Sequence, residues 1–479
     1  MKSDLIDQLK AVLGENGVAT DADTLAPWLT DWRGRWTGRA RAIVSPKTTS
    51  EVAAVVKLAA AARVPLVPQG GNTSMVGGAT PDTRGDAIIL SLRRMNAIRA
   101  HDTDAQQITV EAGVILEHLH QQADALGFRF PLSLGAKGSA TIGGLISTNA
   151  GGTQVLRFGT MRGLVLGLEA VLPDGSVYDG LAPLKKDNRG YDLTQLLIGA
   201  EGTLGVVTAA VLRLYPAVAD HATAWIGLAS PQVALRLLRS VEARAAIHME
   251  SFELIPNDSL QLVLNHVPNT RAPLAGAHRW HVLLEYTESV VGCSASVALE
   301  ELIGNALGEG LVEDAVIAAS EAQSRAFWRL RESISEAERA DGPAMQHDIS
   351  VPVAAMPDFM LAAAQAIETE FPGVTASAFG HLGDGNVHFH VRAPKGVDAA
   401  TWRTTIGEAA SHRVHDLVVA AQGSISAEHG IGQMKRSELL RLSDPARISA
   451  LRAIKAAFDP LNIMNPGKLI SLASDDVVE

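Results

Sequence analysis

The stretch Gln69–Gly78 reads Gln-Gly-Gly-Asn-Thr-Ser-Met-Val-Gly-Gly and follows a short apolar strand, Val64–Pro68. Before that strand, Ala40–Pro46 is strand-like, and Thr48 and Glu51 then fit a capping box, which predicts a helix running to about Ala62. A strand, a helix, a strand and then paired glycines expose consecutive backbone N–H groups, an arrangement that suits a pyrophosphate. Taken alone the signal is weak, because glycine-rich loops most often only turn the chain.

A second glycine-rich stretch strengthens this interpretation. Leu134–Gly144 leads into Ser147–Gly152, and its small residues let the backbone approach an extended ligand closely. Neither stretch has the pattern of a Rossmann or a Walker A loop. Two glycine loops that serve one nucleotide pocket favour a flavin dinucleotide over NAD.

Composition limits the remaining possibilities. The chain has 479 residues, which predicts two or three domains. Its net charge of -11 argues against a general nucleic-acid binder, and its one cysteine, Cys293, excludes an internal disulfide and a thiolate metal cage. We see neither a leader peptide nor a membrane-spanning run of 18 apolar residues, so we expect a cytoplasmic protein that does not cross a membrane.

A histidine-rich hairpin is predicted at Phe379–His390. Asp384-Gly385 is typical of a two-residue type I′ turn, which would place His381 directly opposite His388 with their Cβ atoms about 4.5–5.5 Å apart. Both imidazoles would then reach one metal ion, and Glu428-His429 offers a carboxylate and a further imidazole. Two histidines and one glutamate are a common catalytic metal set. The alternative is a polar hairpin whose histidines are satisfied by hydrogen bonds.

The second half of the chain alternates between predicted strands and helices. This pattern favours a mixed sheet with helices on one face. A helix is predicted over Ala322–Arg339, where Arg331 and Ser335 would share one face. Pairs Ser230-Pro231 and Asp444-Pro445 each predict the start of a further helix.

The sequence resembles the D-2-hydroxyacid dehydrogenases, a branch of the flavoproteins that share the vanillyl-alcohol oxidase fold, over nearly its whole length. The motifs that carry the resemblance are Pro68–Thr73, Gly135–Gly138, Glu201–Gly205, His381–His388 with Glu428–Gly430, and Asn465–Lys468. The loop at Asp31-Trp32 resembles the hydroxyglutarate branch of this family.

The resemblance implies an α+β protein. We expect a two-part FAD-binding domain at residues 1–217 and an α+β substrate- and metal-binding domain with a mixed or antiparallel sheet at 218–435. A C-terminal helical segment, 436–479, would return to the flavin.

The resemblance also implies cofactor contacts. FAD would be bound non-covalently, because residues 68–78 lack the histidine that carries the flavin in covalently linked relatives. The implied cofactor-binding residues are Gln69, Gly70, Gly71, Asn72, Thr73, Gly77, Leu134, Gly138, Ser139, Ile142, Gly143, Gly144, Thr148, Asn149, Gly151, Glu201, Gly202, Val206 and Asn465.

A divalent metal, with zinc as the first choice, is implied at His381, His388 and Glu428, and His429 is the implied catalytic base. The implied substrate-binding residues are Arg331, Ser335, Gln346, Asn386 and His390. Two of these depart from the family pattern, since Gln346 replaces a lysine and His390 an asparagine. Loss of the lysine cation weakens the case for a second carboxylate on the substrate.

The implied reaction is the oxidation of a D-2-hydroxy acid to the 2-oxo acid. D-2-hydroxyglutarate ranks first as the substrate, D-lactate or glycolate second, and a metal-dependent hydrolase is a distant alternative. An electron-transfer flavoprotein or a quinone would accept the electrons. A homodimer is compatible with this interpretation, and no nucleic-acid partner is expected.

Overall fold

A computed structural model describes residues 4–472 of the chain. These residues form two compact units. The first unit comprises residues 4–152, 158–216 and 428–472, and the second comprises 153–157 and 217–427. Glu428 and His429 therefore belong to the first unit, whereas His381 and His388 belong to the second.

The helices, in chain order, are α1 (Leu5–Leu13), α2 (Ala22–Leu25), α3 (Thr49–Ala62), α4 (Leu116–Ala125), α5 (Ile142–Ser147), α6 (Val155–Phe158), α7 (Met161–Leu164), α8 (Leu193–Leu197), α9 (Pro231–Ala245), α10 (Asn257–His266), α11 (Ala295–Gly308), α12 (Glu321–Glu332), α13 (Ile334–Asp341), α14 (Met356–Glu370), α15 (Ala399–Trp402), α16 (Glu408–Ala420), α17 (Arg436–Leu442) and α18 (Pro445–Phe458). Short 3₁₀ helices lie at Glu15–Gly17, Ala26–Trp28 and Val353–Ala355, and a π-helical turn at Arg403–Gly407.

The strands, in chain order, are β1 (Val18–Ala19), β2 (Ala42–Val44), β3 (Leu66–Gln69), β4 (Ile88–Ser91), β5 (Ile98–Asp102), β6 (Gln107–Glu111), β7 (Phe128–Arg129), β8 (Val165–Val171), β9 (Val177–Gly180), β10 (Val206–Arg213), β11 (Tyr215–Pro216), β12 (Asp220–Leu228), β13 (Met249–Pro256), β14 (Trp280–Glu288), β15 (Asp314–Ile317), β16 (Ala344–Ser350), β17 (Thr375–His381) and β18 (Asn386–Arg392).

Two main sheets build the first unit. The four-stranded sheet has the order β1-β2-β4-β3, in which β2, β4 and β3 are parallel. The five-stranded sheet has the order β5-β6-β10-β8-β9 and is antiparallel. Strands β7 and β11 form a separate antiparallel pair. Val52 and Val56 of α3 lie in one buried core with Leu66 of β3 and Ile88 of β4.

Three helix starts that the sequence predicts are confirmed. The Thr48 hydroxyl accepts a hydrogen bond from the backbone N–H of Glu51 and caps α3. Ser230 caps α9 and Asp444 caps α18 in the same way, each followed by a proline at the first helical position. Each cap gives an acceptor to an N–H group that has no partner within its own helix.

The second unit is built on one seven-stranded sheet with the order β15-β12-β14-β13-β17-β18-β16. Every neighbouring pair in it is antiparallel. One antiparallel edge of this sheet, formed by β17, β18 and β16, carries the histidines of the predicted hairpin.

Helices cover both faces of this sheet, so the prediction of helices on one face is wrong. Phe327 of α12 and Ile334 of α13 pack in one buried cluster with Phe379 of β17. On the opposite face, Phe389 contacts Phe359 of α14, with ring centroids 6.4 Å apart. Because neighbouring side chains on a strand alternate between faces, His388 and His390 point away from Phe389 and toward the α12 and α13 side.

No helix within residues 4–472 combines the length and the apolar character needed to cross a membrane.

Candidate functional site

A cavity of about 880 Å³ lies in the first unit, and both glycine-rich stretches line it. The structure thus brings together six of the predicted cofactor residues on its wall: Gln69, Gly70, Gly71, Asn72, Gly138 and Ser139. The sequence did not reveal the side chains of Trp28, Arg93 and His118, which also line this cavity. The guanidinium of Arg93 stacks on the Trp28 ring at 3.6 Å from its centroid.

The two glycine loops approach each other closely. A Cβ atom on Gly70 would lie 2.2 Å from the Thr141 hydroxyl, and one on Gly71 would lie 1.9 Å from the Ser139 carbonyl oxygen. Any larger residue would push the loops apart, so these glycines are needed first of all for loop packing.

Three amide side chains of this region have an acceptor atom without a partner among the described residues. The side-chain nitrogens of Gln69, Asn72 and Asn465 all donate to main-chain carbonyls. The oxygens of the same side chains, Gln69 Oε1, Asn72 Oδ1 and Asn465 Oδ1, are buried and accept no hydrogen bond from a described residue. A buried acceptor is normally paired. The oxygens of Gln69 and Asn72, two residues that line the cavity, fit a polar ligand such as FAD.

The other predicted cofactor residues lie outside the described lining of this cavity. Gly143 packs against Ala112, where a Cβ atom would lie 2.7 Å from the Ala112 Cβ atom. The Asn149 side chain accepts a hydrogen bond from the backbone N–H of Arg162. The rest of the group comprises Thr73, Gly77, Leu134, Ile142, Gly144, Thr148, Gly151, Glu201, Gly202, Val206 and Asn465.

Glu201 holds the segment that follows Glu428 and His429. Its two carboxylate oxygens accept hydrogen bonds from the backbone N–H groups of Ile431 and Gly432, both at 2.7 Å. The side chain of Glu201 is therefore engaged in fixing this loop, which the sequence did not indicate.

The predicted register of the histidine hairpin is wrong by two residues. His381 lies opposite Asn386, and His388 lies opposite Phe379, so the loop is Leu382–Gly385 rather than a two-residue turn. Only Gly385 of the pair Asp384-Gly385 has a positive φ, of 81°. A type I′ turn needs a positive φ at both positions, and here the Asp384 carboxylate instead accepts the Asn386 backbone N–H at 2.9 Å.

His381 and His388 nevertheless share one face of the sheet, because a shift of two residues preserves the direction of every side chain. Their ring centroids are 5.3 Å apart. Burial, together with the charges of Arg331 and His381, lowers the pKa of His388 well below its ordinary value. The neutral imidazole is the form that binds a metal.

Glu253 of β13 joins His381 to Arg331. One carboxylate oxygen accepts from His381 Nδ1 at 2.5 Å, and the other accepts from Arg331 Nε at 2.7 Å. Burial would raise the pKa of the Glu253 carboxyl, but the charges and hydrogen bonds of His381 and Arg331 lower it to about 2. With Nδ1 of His381 engaged, a metal ion would be bound by Nε2.

Glu338 of α13 holds a second histidine. It accepts a hydrogen bond from His390 Nδ1 and a second, at 2.9 Å, from the Ser377 hydroxyl. Gln346 lies opposite His390 on the neighbouring strand, half-buried. This predicted substrate-binding pair is thus adjacent, with a buried carboxylate behind it.

The remaining predicted substrate-binding residues differ in their surroundings. Asn386 is buried, and its amide nitrogen donates to the Asp348 carboxylate at 2.8 Å. The predicted single helix over Ala322–Arg339 is wrong, because Ser333 separates α12 from α13. Arg331 and Ser335 therefore belong to different helices.

Within residues 4–472, no cluster of three or more His, Cys, Asp or Glu side chains is arranged to hold a metal ion. His381 and His388 fit a metal ion by their chemistry, since one is held through Nδ1 and the other is neutral. Glu428, the third predicted ligand, and His429, the predicted base, lie in the first unit.

Sequence reasoning missed Glu253 and Glu338. Glu253 is a charged residue between two apolar neighbours, in Phe252-Glu253-Leu254, whereas Glu338 lies in a polar stretch, Glu336-Ala337-Glu338-Arg339; both side chains are fully buried. A buried glutamate is almost always paired with another polar group, but the sequence does not show which residue is its partner.

Comparison with known proteins agrees with this architecture. Residues 40–180 match the family described as "FAD binding domain", and residues 218–469 match "FAD linked oxidases, C-terminal domain". The solved structure of p-cresol methylhydroxylase superposes with a TM-score of 0.76 at 17% sequence identity, covering 98% of this chain and 97% of that chain.

Two curated relatives match nearly the whole chain. The mitochondrial D-2-hydroxyglutarate dehydrogenase of Arabidopsis thaliana is 36% identical over 470 residues, which cover 97% of this chain and 81% of the relative. A mitochondrial protein of Schizosaccharomyces pombe assigned as a D-lactate dehydrogenase is 32% identical over 481 residues, covering 97% and 90%.

These matches bear out the family resemblance, the α+β fold and the expectation of FAD, and they set aside the hydrolase alternative. The chain belongs to the FAD-linked oxidase family, and it is an FAD-dependent dehydrogenase with a fold of the vanillyl-alcohol oxidase type.

Proposed function

We propose that the protein oxidises a D-2-hydroxy acid to the 2-oxo acid with the help of FAD and a divalent metal, zinc first. The observation that carries this proposal is the buried Glu253, which holds an imidazole and a guanidinium side by side. An imidazole suits a metal ion and a guanidinium suits a carboxylate, and a 2-hydroxy acid presents both kinds of oxygen.

Each of the predicted site residues has its own role in binding the substrate or in proton transfer. Arg331 binds the C1 carboxylate through its terminal N–H groups, with Ser335 as a further polar contact. Asn386, Gln346 and His390 line the substrate side chain. His429 accepts the proton of the C2 hydroxyl, while the C2 hydrogen leaves with its electron pair.

Bound FAD supplies the two-electron acceptor for that hydride. We infer that it is held non-covalently at the two glycine loops, since no histidine occurs in residues 68–78. The predicted cofactor residues that line the 880 Å³ cavity support this position.

We propose His381, His388 and Glu428 as the metal ligands. A divalent ion at these side chains supplies a Lewis acid, which lowers the pKa of a hydroxyl bound to it. The hydrogen bond from His381 Nδ1 to Glu253 supports the assignment, because histidines that bind a metal commonly donate their other ring N–H to a carboxylate.

D-2-hydroxyglutarate is the first substrate to test, because the Arabidopsis thaliana relative carries that name. D-lactate is the second, and glycolate belongs to the same group. Neutral Gln346, next to a histidine held by the Glu338 carboxylate, offers no fixed cation to a second substrate carboxylate and so favours D-lactate.

The physiological electron acceptor is proposed to be an electron-transfer flavoprotein or a quinone. A cytoplasmic location stays a prediction, and both curated relatives described above are named mitochondrial. A homodimer is likewise a prediction.

The deciding experiment assays zinc-loaded protein on a panel of D- and L-2-hydroxy acids with an artificial dye as acceptor. We expect turnover of D-acids, loss of turnover with a chelator while the flavin absorbance is retained, and release of FAD on acid treatment. Activity on L-acids alone, or unchanged activity in protein shown to be free of metal, would contradict the proposal.

A further inference from the structure

Glu253 has two buried oxygens and two partners. Its side chain is 0% exposed, and each oxygen accepts one hydrogen bond, from His381 Nδ1 at 2.5 Å and from Arg331 Nε at 2.7 Å. We propose that this single carboxylate is a positioning residue that sets both the metal-facing nitrogen of His381 and the orientation of the substrate-binding guanidinium of Arg331. This inference rests on the proposed function and adds to it a residue that the family motifs do not include.

Strand pairing brings Glu253 to His381. The two residues lie directly opposite each other on β13 and β17, so their side chains leave the same face of the sheet. Arg331 reaches the same carboxylate from α12. Its guanidinium lies 5.0 Å from the ring centroid of Phe379, which precedes His381 by two residues and shares its face.

For the imidazole, the consequence is a fixed tautomer. A hydrogen bond from Nδ1–H to a carboxylate keeps a proton on Nδ1, so Nε2 is the nitrogen that gives up its proton and binds a metal. Without Glu253 the ring would be able to rotate and to change its tautomer, and a metal would bind more weakly.

The hydrogen bond to Glu253 also determines which nitrogens of the Arg331 guanidinium can bind a ligand. Arg331 donates to Glu253 through Nε, so the terminal Nη1 and Nη2 groups remain available for a ligand. No hydrogen-bond partner of these terminal groups is found among the described residues, and the side chain is 11% exposed. A guanidinium anchored at Nε presents a preformed fork to a carboxylate.

One carboxylate therefore serves two ligand contacts, and a single substitution should weaken both. Glu253→Gln keeps the size of the side chain but loses its charge and one acceptor. The matched control is Glu250→Gln on the same strand. Glu250 is 1% exposed and accepts from Gln154 at 2.5 Å, from Arg157 at 2.9 Å and from the Thr287 hydroxyl at 3.2 Å, and neither His381 nor Arg331 is among these three partners.

The experiment compares the three full-length, FAD-loaded proteins. Zn²⁺ affinity is measured by competition with a chromophoric chelator, and KM and kcat are measured for D-2-hydroxyglutarate and D-lactate at saturating Zn²⁺. For Glu253→Gln we expect Zn²⁺ to bind about 10–100-fold more weakly. We also expect KM to rise about tenfold or more even when Zn²⁺ is saturating, because the arginine has lost its anchor.

The control should lose thermal stability while its Zn²⁺ affinity and KM stay within about threefold of the parent. If Glu253→Gln binds Zn²⁺ and substrate like the parent, the positioning role is overturned. The same conclusion follows if Glu250→Gln loses both affinities equally, since a general loss of buried charge would then explain the effect.

Failure of the proposed function gives a different result. If the parent itself binds no Zn²⁺, the metal part of the proposed function fails, and KM alone decides the role of Glu253 toward Arg331. If Glu253→Gln does not fold, Glu253→Asp replaces it. That variant keeps the charge but is one methylene too short for both partners, and we expect it to lose at least one of the two affinities.

Discussion

Replacing Glu201 tests whether its carboxylate serves the loop that carries His429. The Glu201 side chain is buried, and its two oxygens accept the backbone N–H groups of Ile431 and Gly432 at 2.7 Å each. Burial raises the pKa of the Glu201 carboxyl, and the two N–H groups with the charge of Lys435 lower it in part. Glu201→Gln would keep one acceptor and turn an amide N–H₂ toward the other backbone donor.

The magnitude follows from these contacts. A lost charge-assisted hydrogen bond costs about 1.5–3 kcal/mol, and the N–H group left buried without an acceptor adds about 1–3 kcal/mol. Allowing for partial relaxation, we expect a loss of about 2–5 kcal/mol in the free energy of unfolding of the first unit. His429, the proposed base, precedes Ile431 by two residues, so we expect its imidazole to move when the loop loses its hydrogen bond to Glu201. A displacement of about 1 Å lowers kcat by about 100-fold.

The assay measures urea unfolding, kcat and the flavin absorbance of the same preparations. We expect FAD to remain bound, because the carboxylate contacts the loop at Ile431 rather than the cavity wall. Glu169→Gln is the control, since the Glu169 carboxylate also accepts hydrogen bonds within the first unit, from Thr49, Arg99 and Thr208, and the variant should lose stability but keep kcat. Loss of FAD with an unchanged kcat per bound flavin would refute the reasoning and return Glu201 to a direct cofactor role.

Three further predictions concern single residues. Gln346→Lys adds a cation beside His390 and should raise kcat/KM for D-2-hydroxyglutarate about tenfold relative to D-lactate; equal changes for both acids would show that position 346 does not face the distal group. His429→Asn should lower kcat by about 10²–10⁴ with FAD and Zn²⁺ retained, and parental turnover would assign the base to another residue. Burial and the charge of His278 lower the pKa of His281 to about 4, so the folded state resists its protonation. Because the unfolded chain takes up that proton near pH 6.5, stability is lost as pH falls from 6.5 to 4, by roughly 2–3 kcal/mol between pH 7 and 4.5. Urea titrations at both pH values should show a smaller pH dependence for His281→Gln.

Local signals in the sequence predicted the parts of the fold that depend on local physics. Thr48, Ser230 and Asp444 each cap a helix, because an N-cap needs only a short polar side chain placed before the first turn. The small residues of the second glycine stretch predicted a close approach to an extended ligand, and in the structure Ser139 and Thr141 of that stretch lie against Gly71 and Gly70 of the first.

The hairpin shows where local reasoning stopped. Asp384-Gly385 fits a type I′ turn, but aspartate also forms turns by accepting the backbone N–H two residues later, and Asp384 does so with Asn386. Both choices satisfy the same dipeptide, so the sequence alone did not select between them. The break between α12 and α13 at Ser333 was missed for a similar reason, because the helical spacing of the residues in the sequence continues across Ser333.

Partners distant in sequence were beyond prediction. Glu253 is 128 residues from His381, and Glu338 is 52 residues from His390. Their pairing depends on the order of strands in the sheet and on where α13 packs, neither of which any spacing of residues records. The family motifs identified the histidines, whereas the carboxylates that accept their hydrogen bonds were identified only from the fold.

The loop Leu382–Gly385 limits how the chain length of this hairpin can vary during evolution. Its strands alternate with a period of two, so an insertion of a single residue that shifted the pairing would turn His388 and His390 toward Phe359 and remove them from His381. An insertion or deletion of two residues would leave all three rings on their common face. Homologues should therefore keep the pairing of β17 with β18, shift it by an even number of residues, or carry a compensating bulge in one strand.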